Sequence, residues 1–187
     1  MRITIIYDNT AFREDLKADW GFSALIEAKN TLKILFDTGG NGEILLSNME
    51  KLAIDPLSIE EILISHLHSD HTGGLNEFLK INPKINKIYV PSSLGIKNEV
   101  VLKESRKIHD NVFSTGELDG IEQSIGVETE KGIVLVVGCS HPEMSHILDA
   151  AKKFGKIYAV IGGLHGFSEF GLFKDLELIC PTHCTQH

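Results

Sequence analysis

The run Ile59-Glu60-Glu61-Ile62-Leu63-Ile64-Ser65-His66-Leu67-His68-Ser69-Asp70-His71-Thr72-Gly73-Gly74 decides the reading of this chain. Its first part, EEILIS, has the apolar density of a strand, and SHLHSDHTGG follows as a glycine-terminated loop at the strand's C-terminal end. Leu75, Phe78 and Leu79 then mark the buried face of a helix. Four of the six residues from His66 to His71 are potential metal ligands, in the order His-x-His-x-Asp-His. His66 and His68, two apart on an extended segment, point the same way, and a turn at Ser69 lets Asp70 and His71 face a second ion. Solvated loops favour Ser, Asn, Lys and Glu, whereas three imidazoles bracketing a carboxylate are ligand chemistry.

Working outward, residues 2–7, 21–28 and 31–37 alternate apolar and polar positions, with Lys29-Asn30 as a tight turn between the last two, so the chain begins in antiparallel β-structure. Ile44, Leu45, Met49 and Leu52 recur at helical spacing over 41–52, and Asp55-Pro56 stops that helix. The second half repeats the strand-then-histidine grammar. A strand at 133–137 ends in GCSH, a helix covers about 142–154, and a strand at 157–161 ends in GGLH. A short helix near 170–176 precedes a strand at 177–180 that ends in PTHC. No linker, low-complexity stretch or fixed-period repeat divides residues 1–187, so one compact α/β domain is expected.

A first ligand shell needs more donors than one loop supplies. His141 and His183 each follow a strand and are preceded by small or turn-forming residues, which makes them candidates for distant ligands. His165 has the same strand-end placement, and lining the substrate is as good a reading for it as ligation. His109, His146 and His187 are assigned to a loop, a helix face and the chain end. Cys139, Cys180 and Cys184 are odd in number and too few for a separate zinc site, so they are read as free thiols in the core or behind the ligands, without a disulfide.

Composition narrows the function classes. Lys+Arg of 18 against Asp+Glu of 26 gives a net charge of −8, which repels a polyphosphate backbone and argues against a long nucleic acid as partner. Metal ions can still hold a small phosphorylated substrate on an acidic protein. No apolar run reaches the roughly 18 residues of a membrane span, and the start, MRITIIYDNT, lacks a signal-peptide core. A cytoplasmic protein acting on a small molecule, with no membrane partner, is the expectation.

His-x-His-x-Asp-His on a strand end, preceded by FDTG at 36–39 and followed by late strand-end histidines, closely resembles the metallo-β-lactamase superfamily across nearly the whole chain. Within it, GCSH at 138–141, GGLH at 162–165 and HCT at 183–185 look like the subgroup of dihydropterin-ribofuranosylaminobenzene-phosphate synthase-related proteins. The resemblance implies a four-layer αββα sandwich with a metal site at one edge. Carried over by motif, His66, His68 and His141 would hold one ion, and Asp70, His71 and His183 a second. Asp37 would buttress the histidine loop by hydrogen bonding. Two departures stand out. Many members bridge both ions with an aspartate in a Gly-Asp pair, and the carboxylates here between 141 and 183 (Glu143, Asp149, Glu169, Asp175, Glu177) have no such setting, so water alone, Cys139 or His165 is left to take that place. Related proteins also tend to carry more chain between the histidine cluster and GCSH, which implies a smaller lid here.

Two divalent ions about 3.5 to 4 Å apart bring a shared water's pKa towards 7 and supply hydroxide to an ester or phosphodiester. Zinc suits the imidazole and carboxylate donors, and Mn2+ or Fe2+ fits them as well. In that scheme Asp70 orients the water and accepts its proton, and His165 donates to the developing oxyanion or leaving group. The rival from another class is a metal-dependent synthase or lyase acting on a pterin or ribosyl-phosphate substrate. Metal content separates both from an inactive interaction domain, and a flavodiiron-like redox role would favour a glutamate where His68 stands.

Overall fold

The computed structural model describes residues 1–28 and 33–186. The turn expected at Lys29-Asn30 lies outside the described residues. One sheet runs in spatial order β1 (Arg2–Tyr7), β2 (Ser23–Glu27), β3 (Lys33–Phe36), β4 (Glu61–Leu63), β5 (Lys87–Val90) and β6 (Glu99–Val101). The other runs β12 (Leu178–Thr182), β11 (Ile157–Gly163), β10 (Gly132–Val137), β9 (Ile125–Thr129), β8 (Val112–Ser114) and β7 (Arg106–His109). β1 to β3 pair antiparallel, as do β7 to β10, whereas β3 to β6 and β10 to β12 pair in parallel. Parallel neighbours end on the same side of their sheet. Asp37 and Ser65 follow two adjacent strand ends of the first sheet, and GCSH and GGLH two adjacent ends of the second.

Three apolar clusters stack through the molecule and define its four layers. Leu25, Leu35, Ile62 and Ile88 pack outward against Leu45 and Met49 of α1 (Gly42–Lys51) and Phe78 of α3 (Leu75–Ile81). Ala24, Ile26, Ile34, Phe36 and Leu63 face Val112, Ile125, Val127 and Val136 of the opposite sheet. Ile133, Leu135 and Val137 pack outward against Ile147, Leu148 and Ala151 of α4 (Met144–Lys152). The sandwich is therefore helices, sheet, sheet, helix. α1 starts where Asn41 accepts the amides of Glu43 and Ile44, relieving two donors the first turn leaves unpaired.

Several local expectations change. β2 and β3 are apolar on both faces, because a strand inside four layers has no solvent side, whereas the edge strand β1 is partly open. The segment 65–74 is not wholly loop, since Ser69–Thr72 form a turn of helix, α2, capped by the His68 carbonyl accepting from Thr72. The helix expected near 170–176 is a 3-10 turn at Phe170–Phe173, and the last strand runs on to Thr182 because it pairs with β11 as far as Gly163. His109 ends β7 instead of lying in a loop, and its Nε2 sits 2.7 Å from the buried carboxylate of Glu61, tying the two sheets together. His146 lies on α4, beside Asp119 at 2.9 Å, and His187 is outside the described residues. Among the described residues no helix is long and apolar enough to cross a membrane.

Phe36 is fully buried between the sheets one residue before Asp37. Phe36→Ala is expected to lower the unfolding free energy by about 3–5 kcal/mol, read as a lower urea midpoint at unchanged slope. A loss below about 1 kcal/mol would show that the sheets do not depend on this layer.

Candidate metal centre

β4 delivers Ser65 and His66 into the edge where both sheets end. The Ser65 amide and hydroxyl donate to the two oxygens of Asp37, each at 2.7 Å. The hydroxyl has one proton and gives it to Asp37, so at 2.9 Å it accepts from His66 Nδ1 and leaves His66 Nε2 with a free lone pair. His71 Nδ1 donates to Asp37 Oδ2 at 2.7 Å, which frees its Nε2 in the same way. Asp37 thus acts by hydrogen bonding, as the sequence led us to expect.

The free nitrogens gather into two groups, and within each the donor atoms lie within 4.8 Å of one another. The first is His66, His68 and His141. His66 Nε2 and His68 Nδ1 are 3.1 Å apart. The second is Asp70, His71, Cys139 and His183, with Asp70 Oδ2 lying 3.6 Å from His71 Nε2 and 3.3 Å from His183 Nε2. Donors bound tetrahedrally at about 2.0–2.3 Å stand about 3.3–3.8 Å apart, so the 3.1 Å pair of the first group and the 3.3 and 3.6 Å pairs of the second are close to the spacing that one ion needs. His141 Nε2 and His183 Nε2 are buried without a hydrogen-bond partner. A buried lone pair left unmet is costly, and a cation would satisfy both. The residues present therefore fit a metal in each group.

Several donors are held from behind. Asp8 Oδ1 accepts the His183 amide at 2.8 Å, and Asn9 Oδ1 lies 3.0 Å from His183 Nδ1, which turns Nε2 inward. The Phe22 amide donates to the Asp70 carbonyl, and the Thr38 amide and hydroxyl donate to that of His71, fastening α2 to the first sheet. A Cβ on Gly73 would strike the Gly40 carbonyl, so only glycine allows that approach. Asp37, Ser140, His165 and His183 all adopt φ between 47° and 60°, and these left-handed turns swing the chain sharply off the strand ends.

The electrostatics favour the neutral imidazole at three of these histidines. Burial, reinforced by the neighbouring rings, pushes His66 and His141 below the usual histidine range and His183 down to about 4. His71 goes the other way, because the charge and hydrogen bond of Asp37 outweigh its burial. Hydrogen bonding with Cys184, together with burial, holds the Cys139 thiol in its protonated form.

His165 is exposed and outside both groups, with its ring centroid 5.3 Å from that of His141 at the rim. Glu143, Asp149, Glu169, Asp175 and Glu177 join neither group. All three cysteines are free, as expected, and Cys139 Sγ lies 3.2 Å from His71 Nε2, among the donor atoms of the second group. Sequence reasoning missed Glu122 altogether. This fully buried carboxylate accepts the amides of Gly138, Cys139 and Ser140 on Oε1 and that of His141 on Oε2, at 2.9 to 3.2 Å. Burial raises its pKa against the pull of those amides. Its partners are main-chain groups 16 to 19 residues away, which no side-chain pattern announces.

Comparison with known proteins places these features in context. The metallo-beta-lactamase superfamily profile matches residues 21–154. A 7,8-dihydropterin-6-methyl-4-(beta-D-ribofuranosyl)-aminobenzene-5'-phosphate synthase of Methanocaldococcus jannaschii is 29% identical over 253 aligned positions, covering 97% of this chain and 86% of the relative. That exceeds the 187 residues here, so the relative carries internal segments this chain lacks. An uncharacterized protein of the same organism is 31% identical, covering 98% of this chain and 90% of its own. Among solved structures, Tm1679, a metal-dependent hydrolase of the beta-lactamase superfamily, aligns with a TM-score of 0.74 at 25% identity, over 99% of this chain and 88% of that one.

Glu122→Ala strips four amides of their acceptor and loosens the loop that carries His141. Zinc affinity, read by competition with a chromogenic chelator, is expected to fall about 10–100-fold. Glu122→Gln keeps the oxygen that serves three amides and should fall between wild type and Ala. Unchanged affinity in both variants would contradict the role.

Proposed function

Because this chain belongs to the metallo-beta-lactamase superfamily, we propose that it is a single-domain, cytoplasmic metal-dependent hydrolase acting on an ester or phosphodiester bond of a small-molecule substrate, phosphorylated ones included. The observation that carries this reading is the pair of adjoining donor groups whose inward nitrogens, His141 Nε2 and His183 Nε2, are buried with no hydrogen-bond partner among the described residues. His66, His68 and His141 hold one divalent ion, and Asp70, His71 and His183 a second, with zinc the first choice for such donors. Metal bound by these residues would supply a hydroxide nucleophile at neutral pH and would neutralise charge developing on the substrate.

The chain's own groups do the rest. Asp70 points Oδ2 at the second group and is only partly covered, so it can orient water and accept a proton. His165, exposed beside His141, would donate to the leaving oxygen. Trp20, 60% exposed with its ring 5.2 Å from that of His183, gives the rim an apolar side.

A second reading is favoured by the synthase name of the archaeal relative: a metal-dependent synthase or lyase acting on a pterin or ribosyl-phosphate substrate, with the ions as Lewis acids. The internal segments which that relative has and this chain lacks weigh towards the simpler hydrolytic chemistry.

The purified protein is expected to contain transition metal and to hydrolyse bis(p-nitrophenyl) phosphate or a p-nitrophenyl ester. His68→Ala or Asp70→Ala should each cut kcat/KM by more than about 100-fold, since each removes a donor from a different ion. Metal retention with unchanged turnover in the His66→Ala/His68→Ala double variant would refute the centre. Bound metal with no hydrolysis, and two organic fragments joined in the product, would favour the synthase.

A further inference from the structure

Resting on the two-ion reading above, we propose that the Cys139 thiolate is a metal ligand: it completes the second position to four protein donors, with Asp70, His71 and His183, and leaves only the three-histidine position with an open site for water. The Cys139 side chain is buried, and its Sγ lies 3.2 Å from His71 Nε2. Nitrogen at about 2.0–2.1 Å and sulfur at about 2.3 Å on one tetrahedral ion are about 3.6 Å apart, so a few tenths of an ångström bring this pair onto a shared cation. The donor atoms of Asp70 and His183 fall in the same group.

The loop explains how one tetrapeptide serves both positions. Glu122 pins the amides of residues 138 to 141, and Ser140 turns the chain at φ 60°, so Cys139 gives its donor to the second group and His141 to the first. A Cβ on Gly138 would run into Ser65 Oγ, so the glycine lets this loop close on the strand end that carries His66. None of the five carboxylates between His141 and His183 enters either group, and the sulfur stands where a further donor is needed. Cys184 is not equivalent, because its Sγ is turned to the Cys139 carbonyl, 3.8 Å away.

The step is a proton exchange without redox change. The thiol proton leaves to solvent, a sulfur lone pair bonds the cation, and a cation of this charge reverses the preference of the metal-free protein for the neutral thiol. Two consequences follow for chemistry. A soft donor biases the second position towards zinc or iron over manganese or magnesium. Four protein donors close that position in the manner of a structural site, so the ion held by His66, His68 and His141 is the one that takes water.

The test is zinc K-edge X-ray absorption on the full chain loaded with zinc, alongside near-ultraviolet spectra of the cobalt(II) form. Wild type is expected to bind about two ions and show about one sulfur at about 2.3 Å between them. The cobalt form should show sulfur-to-metal charge-transfer absorption. Cys139→Ser should lose the sulfur shell and the charge-transfer band, and Cys184→Ser should keep both. About two ions with nitrogen and oxygen neighbours alone would overturn the thiolate and leave the two-ion reading standing. A sulfur shell that vanishes in Cys184→Ser but not in Cys139→Ser would also overturn it, and a wild-type chain that takes up no metal would sink both.

Discussion

A single buried carboxylate sets the geometry on which this centre depends. Asp37 accepts from the Ser65 amide, the Ser65 hydroxyl and His71 Nδ1, all at 2.7 Å. Through Ser65 it fixes the tautomer of His66, and directly it fixes that of His71, so one side chain presents nitrogens to both groups. A buried acceptor with three short hydrogen bonds is rigid, and losing it would leave the Ser65 amide and an imidazole unmet in a water-free place. The left-handed backbone at Asp37 is the strain accepted to aim the carboxylate back under the loop.

Asp37 works only because of where the sheets end. β3 and β4 are parallel neighbours, so the residue after one lies beside the residue after the other. The opposite sheet repeats this with β10, β11 and β12, whose ends carry Cys139 and His141, His165, and His183. Gln123 clamps the two sets of ends, its amides donating to the carbonyls of Ser65 and Ile64. Behind the ends lies the apolar inter-sheet layer, which resists relative sliding because its side chains interdigitate. Rigid layers and main-chain clamps fix the strand ends from which the two donor groups project, and such preorganisation is what water activation needs.

Much of this was legible in the sequence for specific reasons. The cluster from His66 to His71 is local, so spacing alone exposes it, and His141, His165 and His183 betray themselves by following apolar strands. The layers could be reached through the resemblance but not through alternation, since β2 and β3 are buried on both faces and carry no polar side to read. Residues 82–132, which hold five of the twelve strands, gave little signal because those strands are three to five residues long and several are half-exposed. Glu122 was invisible because its four bonds go to main-chain amides. The position of Cys139 beside His71 was not legible either, because an odd count of cysteines says nothing about which of them faces a cluster of imidazoles; only the folded loop does.

In the function proposed above, one edge of this sandwich holds two ions, with Asp37 supporting their ligands and not joining them. Anomalous diffraction at a metal absorption edge from crystals of the metal-loaded protein tests it most directly. Two peaks about 3.5–4 Å apart are expected, one bounded by His66, His68 and His141 and the other by Asp70, His71 and His183, with both Asp37 oxygens still turned to Ser65 and His71. A single peak, or an ion in direct contact with Asp37, would contradict it.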